Sequence, residues 1–150
     1  MAFKLSSRSL KNLEGVDERL AEVVHYAIDV TKVDFGVIEG MRTVDRQRQL
    51  VASGASQTMN SKHLTGNAVD LMAYIGKRAS WELNLYDDIA DAMKLGAIEV
   101  GVSIRWGAAW NVPDIRDWDG TMQDAMDFYV DTRRSQKRRV FIDGPHFEIN

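Results

Sequence analysis

Two short stretches hold nearly all the residues that could do chemistry together: SKHLTGNAVD, from Ser61 to Asp70, and DGPHFEIN, from Asp143 to Asn150. Between them they carry two of the three histidines and an aspartate set in an apolar run. On a continuous helix His63 and Asp70 would share a face but stand roughly 10 Å apart along the axis, too far for two ligands of one ion. Thr65, Gly66 and Asn67 instead favour a turn, and AVDLM favours a strand that leaves it. In that strand Ala68, Asp70 and Met72 take one face and Val69 and Leu71 the other. A carboxylate in a buried strand is costly unless paired or coordinated; a salt bridge or a capping role for Asp70 is the alternative. In the last strand His146 and Glu148 share a face, opposite Phe147 and Ile149. The third histidine, His25, sits beside the apolar stripe of a helix and is expected at the surface or its boundary.

Two imidazoles and one carboxylate from distant segments form a three-ligand set, His63, Asp70 and His146, that leaves a fourth tetrahedral position open. Zinc bound there would acidify water and polarise a carbonyl, which suits amide hydrolysis. A base must then lie close by. Asp143, three residues before His146 across a Gly-Pro turn, is the favoured candidate, although an Asp-Gly dipeptide is also ordinary turn chemistry. Glu148 competes for that role or orients His146 from its far side. Arg42, at a strand-to-helix junction, could stabilise an oxyanion or grip a substrate carboxylate; an ion pair with Glu39 or Asp45 is the plainer reading.

The elements needed to position these groups are legible from periodicity. Leu20, Val23, Val24, Ala27 and Ile28 mark a helix within 16–30, and VDFGVIEG marks a strand. A helix follows, with Thr43 as its cap and Gly54 past its end. The longest helical signal runs through Trp81, Leu85, Ile89, Met93 and Ala97, with Ser80 placed as its cap. SIRWG reads as a strand, 108–119 as an irregular loop and TMQDAMDFYVDTRR as a helix. RRVFIDGPHFEIN reads as strand, turn and strand. The expected fold is α+β, with a small, mostly antiparallel sheet packed by helices in one domain over 1–150.

Composition closes off other classes. With 19 Lys and Arg against 22 Asp and Glu the net charge is -3, so no global positive field favours nucleic acid. The absence of cysteine removes disulfides and thiolate metal sites. No run is apolar enough for a membrane span or a secretory leader, so cytoplasmic synthesis, a monomeric state and no stable membrane insertion are expected.

The spacing Ser61-x-His63-x-x-Gly66-x-Ala68-x-Asp70, with Asp143-x-x-His146, resembles the zinc peptidases of the D-alanyl-D-alanine carboxypeptidase and VanY type, the M15 class. The likeness extends through SRSLKNLEGVDERLAEVVHYAI, VIEGMRTVDRQRQLVASGAS, IRWGAAW and DGPHFEI, and is greatest to the L-alanyl-D-glutamate endopeptidases that phages use as endolysins. It implies a D-Ala-D-Ala peptidase-like fold with one zinc ion on His63, Asp70 and His146. It further implies that Asp143 is the base, that Arg42 assists, and that the substrate is the bacterial peptidoglycan stem peptide. Such an enzyme would be made in the host cytoplasm and reach the wall after the membrane is breached. A D-Ala-D-Ala carboxypeptidase or dipeptidase of the same class, and a non-catalytic wall-binding module, are the rival readings. One departure is the long stretch 110–139, which could be an elaborated cleft wall, with Trp110 and Trp118 packing against glycan or peptide or serving as local core. Its basic residues Arg133, Arg134, Lys137, Arg138 and Arg139 could meet an anionic surface or simply be solvated.

Overall fold

The computed structural model describes residues 3–150; Met1 and Ala2, the first residues of the segment considered for a leader, lie outside the described residues. Five strands form one antiparallel sheet: β1 (Asp34–Glu39), β2 (Ala68–Ile75), β3 (Arg78–Ser80), β4 (Ile104–Trp106) and β5 (His146–Ile149). The order is β1-β2-β5-β4, with β3 also pairing with β2. The helices are α1 (Ser7–Asn12), α2 (Glu18–Val30), α3 (Val44–Ala52), α4 (Leu83–Val100) and α5 (Met122–Ser135). The α+β architecture and antiparallel sheet are as expected. No helix among the described residues is long and apolar enough to cross a membrane.

Helix α2 forms where its apolar residues recur every three or four positions, and Asp17 caps it by accepting from the Arg19 amide. Its stripe of Leu20, Val23, Val24, Ala27 and Ile28 is buried against α4 and one face of the sheet. Val69, Leu71 and Phe147 come from that sheet face and are fully buried. At about 1.5–3 kcal/mol for each large apolar side chain, this layer stabilises the sheet whose opposite face carries the polar groups. Alternation along β2 and β5 therefore turns Asp70, His146 and Glu148 away from the core.

Three expectations need correction. Ser80 does not cap α4: it belongs to β3, where it pairs with Ala73, and its hydroxyl accepts from the Glu82 amide before the helix begins. Trp81 accordingly lies outside α4, 65% exposed, stacked on Tyr86. The residues before the Gly-Pro turn form no strand, because β2 and β4 occupy both edges of β5 and leave none for a hairpin partner. The irregular loop contains one 3-10 turn, Ile115–Asp117.

Helix α5 ends in a Schellman turn, with the Arg138 amide donating to the Arg133 carbonyl and the Lys137 amide to that of Arg134. Lys137 takes the left-handed position, φ 53°, which glycine usually fills. Replacing Lys137 with glycine is expected to stabilise the chain by about 0.5–1 kcal/mol and raise the melting temperature by about 1–4 °C. An unchanged or lowered transition in calorimetry would show that the turn carries no strain.

Candidate active site

His63 stands on a single 3-10 turn, Lys62–Thr65, whose start is capped by the Ser61 hydroxyl. The turn ends at Gly66, φ 74°, where a Cβ would sit 2.3 Å from the Gly15 carbonyl oxygen, so the motif glycine is required by both conformation and space. This is the turn the sequence implied between the first two candidate ligands. The preceding connection clamps His63 twice: its carbonyl accepts from the Arg42 amide at 2.8 Å, and its Nδ1 donates to the Gly40 carbonyl at 2.7 Å. Its Nε2 is thereby left to face inward.

Asp70 and His146 are direct cross-strand partners of β2 and β5. Asp70 Oδ2 lies 3.3 Å from His63 Nε2, and Asp70 Oδ1 lies 3.2 Å from His146 Nδ1. One ligand atom from each of the three residues fits within a mutual spacing of 4.8 Å. The shorter separations approach the edge of roughly 3.3 Å in a tetrahedron of metal bonds near 2.0 Å. His63 Nε2 is buried, with no hydrogen-bond partner of acceptable geometry, in a residue 2% exposed. An orphaned imidazole nitrogen aimed at a carboxylate and a second imidazole fits a cation.

The outer nitrogens are held as metal-binding histidines usually are, by fixed acceptors. His146 Nε2 donates to Glu148 at 2.8 Å, and Glu148 in turn meets Lys62 Nζ at 3.3 Å. Without a cation the group is an ion-pair network. Burial alone would raise Asp70, yet the hydrogen bond from His146 and the imidazole of His63 close by hold it well below the usual carboxylate range. Burial likewise opposes protonation of His146, but the bonds to Asp70 and Glu148 push it up to about 9. For Glu148 burial is again the largest influence, outweighed by the His146 bond, and the carboxyl is lowered.

Asp143 lines the same cleft, a cavity of about 560 Å³ that also exposes Glu39, Arg42, Ser61 and the three candidate ligands. The RWG segment holds it there. The Asp143 amide donates to the Gly107 carbonyl at 2.8 Å, and the Gly107 amide donates to the His146 carbonyl at 2.8 Å. The buried Trp106 indole adds a 2.7 Å bond to the Gly144 carbonyl. A Cβ on Gly107 would fall 2.1 Å from the Asp143 carbonyl oxygen. Burial first, then the Asp70 charge, raises the Asp143 carboxyl above its ordinary value.

Arg42 is 9% exposed at its side chain and does make the plain ion pair, Nε to Glu39 at 2.6 Å. It also extends into the site, with Nη2 at 3.8 Å from Asp70 Oδ2. Gln47, fully buried in the otherwise polar α3, accepts from Arg42 Nη1 at 2.7 Å and donates to Ser56 and the Thr58 carbonyl. Neither Gln47 nor Lys62 was among the candidates. Both lie one side chain outside the ligand set, and only a polar residue three-dimensionally trapped in a helix distinguishes Gln47. His25 is exposed on α2, away from the site. Trp110 lies 5.5 Å from the His146 ring but lines a neighbouring cavity rather than the cleft itself, whereas Trp118 packs at the core edge against Phe128.

The family model of the phage L-alanyl-D-glutamate peptidase matches residues 1–150. An L-alanyl-D-glutamate peptidase of Escherichia phage T5 is 34% identical over 115 residues, which cover 74% of this chain and 84% of that protein. One from Listeria phage A118 is 28% identical across 96% of this chain, which spans only 41% of that longer protein. The crystal structure of the Serratia marcescens L-Ala D-Glu endopeptidase ChiX superposes with a TM-score of 0.73 at 34% identity, covering 98% of this chain and 90% of that one. With its ligand-like cluster and cleft built on the same chain, the protein belongs to the phage L-alanyl-D-glutamate peptidase family.

Proposed function

We propose that the chain is a zinc-dependent peptidoglycan endopeptidase, a phage endolysin that hydrolyses the L-Ala-D-Glu bond of the stem peptide. The observation that carries this reading is the unpartnered Nε2 of His63, facing Asp70 and His146 in the cleft that also holds Asp143 and Arg42. The printed names of the relatives support the bond and the substrate class. His63, Asp70 and His146 would hold one ion, a nitrogen and oxygen donor set that suits zinc with a position left for substrate. Zinc, when bound, supplies Lewis-acid polarisation of the scissile carbonyl and acidifies water.

The protein groups divide the remaining work. Asp143, raised by burial, accepts the proton of the attacking water and passes it to the departing D-Glu nitrogen. Arg42, fixed by Glu39 and Gln47, stabilises the developing oxyanion. Glu148 and the Gly40 carbonyl orient the two imidazoles. Residues 1–150 form one catalytic domain, monomeric, made in the host cytoplasm and acting on the wall once the membrane is permeable.

Digestion of purified peptidoglycan by the zinc-loaded protein, followed by mass spectrometry, is expected to yield fragments with new N-terminal D-Glu. Chelation should abolish them and added zinc restore them. Release of terminal D-Ala alone would instead assign a carboxypeptidase, and no product at all a wall-binding module. Arg42→Ala is expected to lower kcat/KM by about two orders of magnitude with metal content unchanged. An unaltered rate would reduce Arg42 to the ion pair with Glu39.

A further inference from the structure

A second cavity, of about 510 Å³, adjoins the cleft and shares Phe141 with it. Arg105, Arg133 and Arg138 converge on it from β4, α5 and the turn after α5, with Trp110, Tyr129 and Phe141 as aromatic walls. No acidic residue lines it. The chain's ion pairs with Asp and Glu use other cations: Arg19, Arg42, Arg48, Lys62, Arg116 and the site histidines. Three guanidiniums without a carboxylate partner among the described residues therefore share one space, in a protein of net charge -3. Arg133 alone could be explained as a basic residue offsetting the α5 dipole. That explanation does not reach Arg105, which arrives from the sheet, or Arg138, which the Schellman turn folds back.

The pocket is partly preorganised. Arg105 lies over the Trp110 ring, 5.3 Å from its centroid, and donates through Nε and Nη2 to the Trp110 carbonyl. Arg133 Nε is tied to the Arg139 carbonyl at 2.9 Å. Trp110 links the pocket to the metal-ligand cluster, since its ring stacks 6.2 Å from Phe141 and lies 5.5 Å from His146.

We infer that this cavity is a binding subsite for a carboxylate of the substrate on the leaving-amine side of the scissile bond. The assignment rests on the L-Ala-D-Glu reading above. In such a peptide the acyl side ends in alanine, whereas the amine side carries the free carboxyl of glutamate and those of the residues beyond it. Charge complementarity thus orients the peptide, with its anionic portion running past Phe141 toward the three arginines.

Two peptides of equal length containing the L-Ala-D-Glu bond test it, one with free carboxylates beyond that bond and one with carboxamides there. The zinc-loaded wild type is expected to show a KM about five- to tenfold lower for the acid form, a modest ratio because Arg138 is solvent-screened. The Arg133→Gln/Arg138→Gln double variant should lose that preference, with kcat on the amide form and the melting temperature unchanged. A retained preference, or an equal fall in kcat on both peptides, overturns the subsite. Should the wild type cut neither peptide, the proposed activity fails by itself. Calorimetric titration of the two peptides into wild type and double variant then decides the subsite, where equal affinities in the wild type overturn it. Poly(glycerol phosphate) serves as competitor: if it occupies the pocket while the acid and amide peptides bind alike, the ligand is a phosphodiester and the inference is wrong.

Discussion

An Asp143→Ala variant is expected to keep one metal ion per chain and to lose turnover by about two to four orders of magnitude. Asp143 sits in the cleft without belonging to the three-residue cluster, so its removal takes away a proton acceptor and no ligand. Its backbone is fixed by the Gly107 carbonyl and the Trp106 indole bond to Gly144, which hold the turn in place when the side chain is trimmed. Burial and the Asp70 charge raise its carboxyl. A carboxylate raised in this way is a stronger base than a solvated one. Glu148 is the competitor, but its oxygens are engaged by His146 Nε2 and Lys62. Metal analysis beside single-turnover kinetics checks the claim. Near-normal turnover in Asp143→Ala would transfer the role to Glu148.

A His63→Ala variant should lose both the ion and the activity. Two ligands remain, and the Gly40 carbonyl loses its 2.7 Å donor in a buried setting, a further cost of about 1–3 kcal/mol in stability. His25→Ala is the control, since that side chain is exposed on α2 and should leave metal content and melting temperature unchanged. Elemental analysis of the dialysed proteins, with thermal unfolding, separates the outcomes. Full metal occupancy in His63→Ala would remove His63 from the ligand set.

Legibility of the sequence tracked the range of the forces involved. The α2 stripe, the Thr43 cap and the alternation of β5 are local patterns and appear in the structure as read. Thr65, Gly66 and Asn67 imply the turn that brings His63 to Asp70, because turn-forming residues are themselves a local signal, and Gly66 takes the left-handed position there. Where local and long-range preferences compete, local reading erred: Ser80 and Trp81 look like a helix start, but pairing with β2 takes Ser80 into a strand. The stretch before the Gly-Pro turn has a strand's composition, but both edges of β5 are filled. Gln47 was invisible for a related reason. Its partners Arg42, Ser56 and Thr58 are supplied by the fold, while its neighbours in α3 read as an ordinary polar surface.

The ladder that joins Asp70 to His146 links residues 76 apart in the chain. Ordering a flexible loop of that span costs about 4 kcal/mol in entropy, which no local hydrogen bond repays until the sheet is complete. The candidate ligands therefore meet only through contacts of high sequence separation, whereas α2 and α4 pack on each other as an apolar platform. In a nascent or partly refolded chain the three candidate ligands stand apart, so the activity proposed above would wait on closure of the sheet.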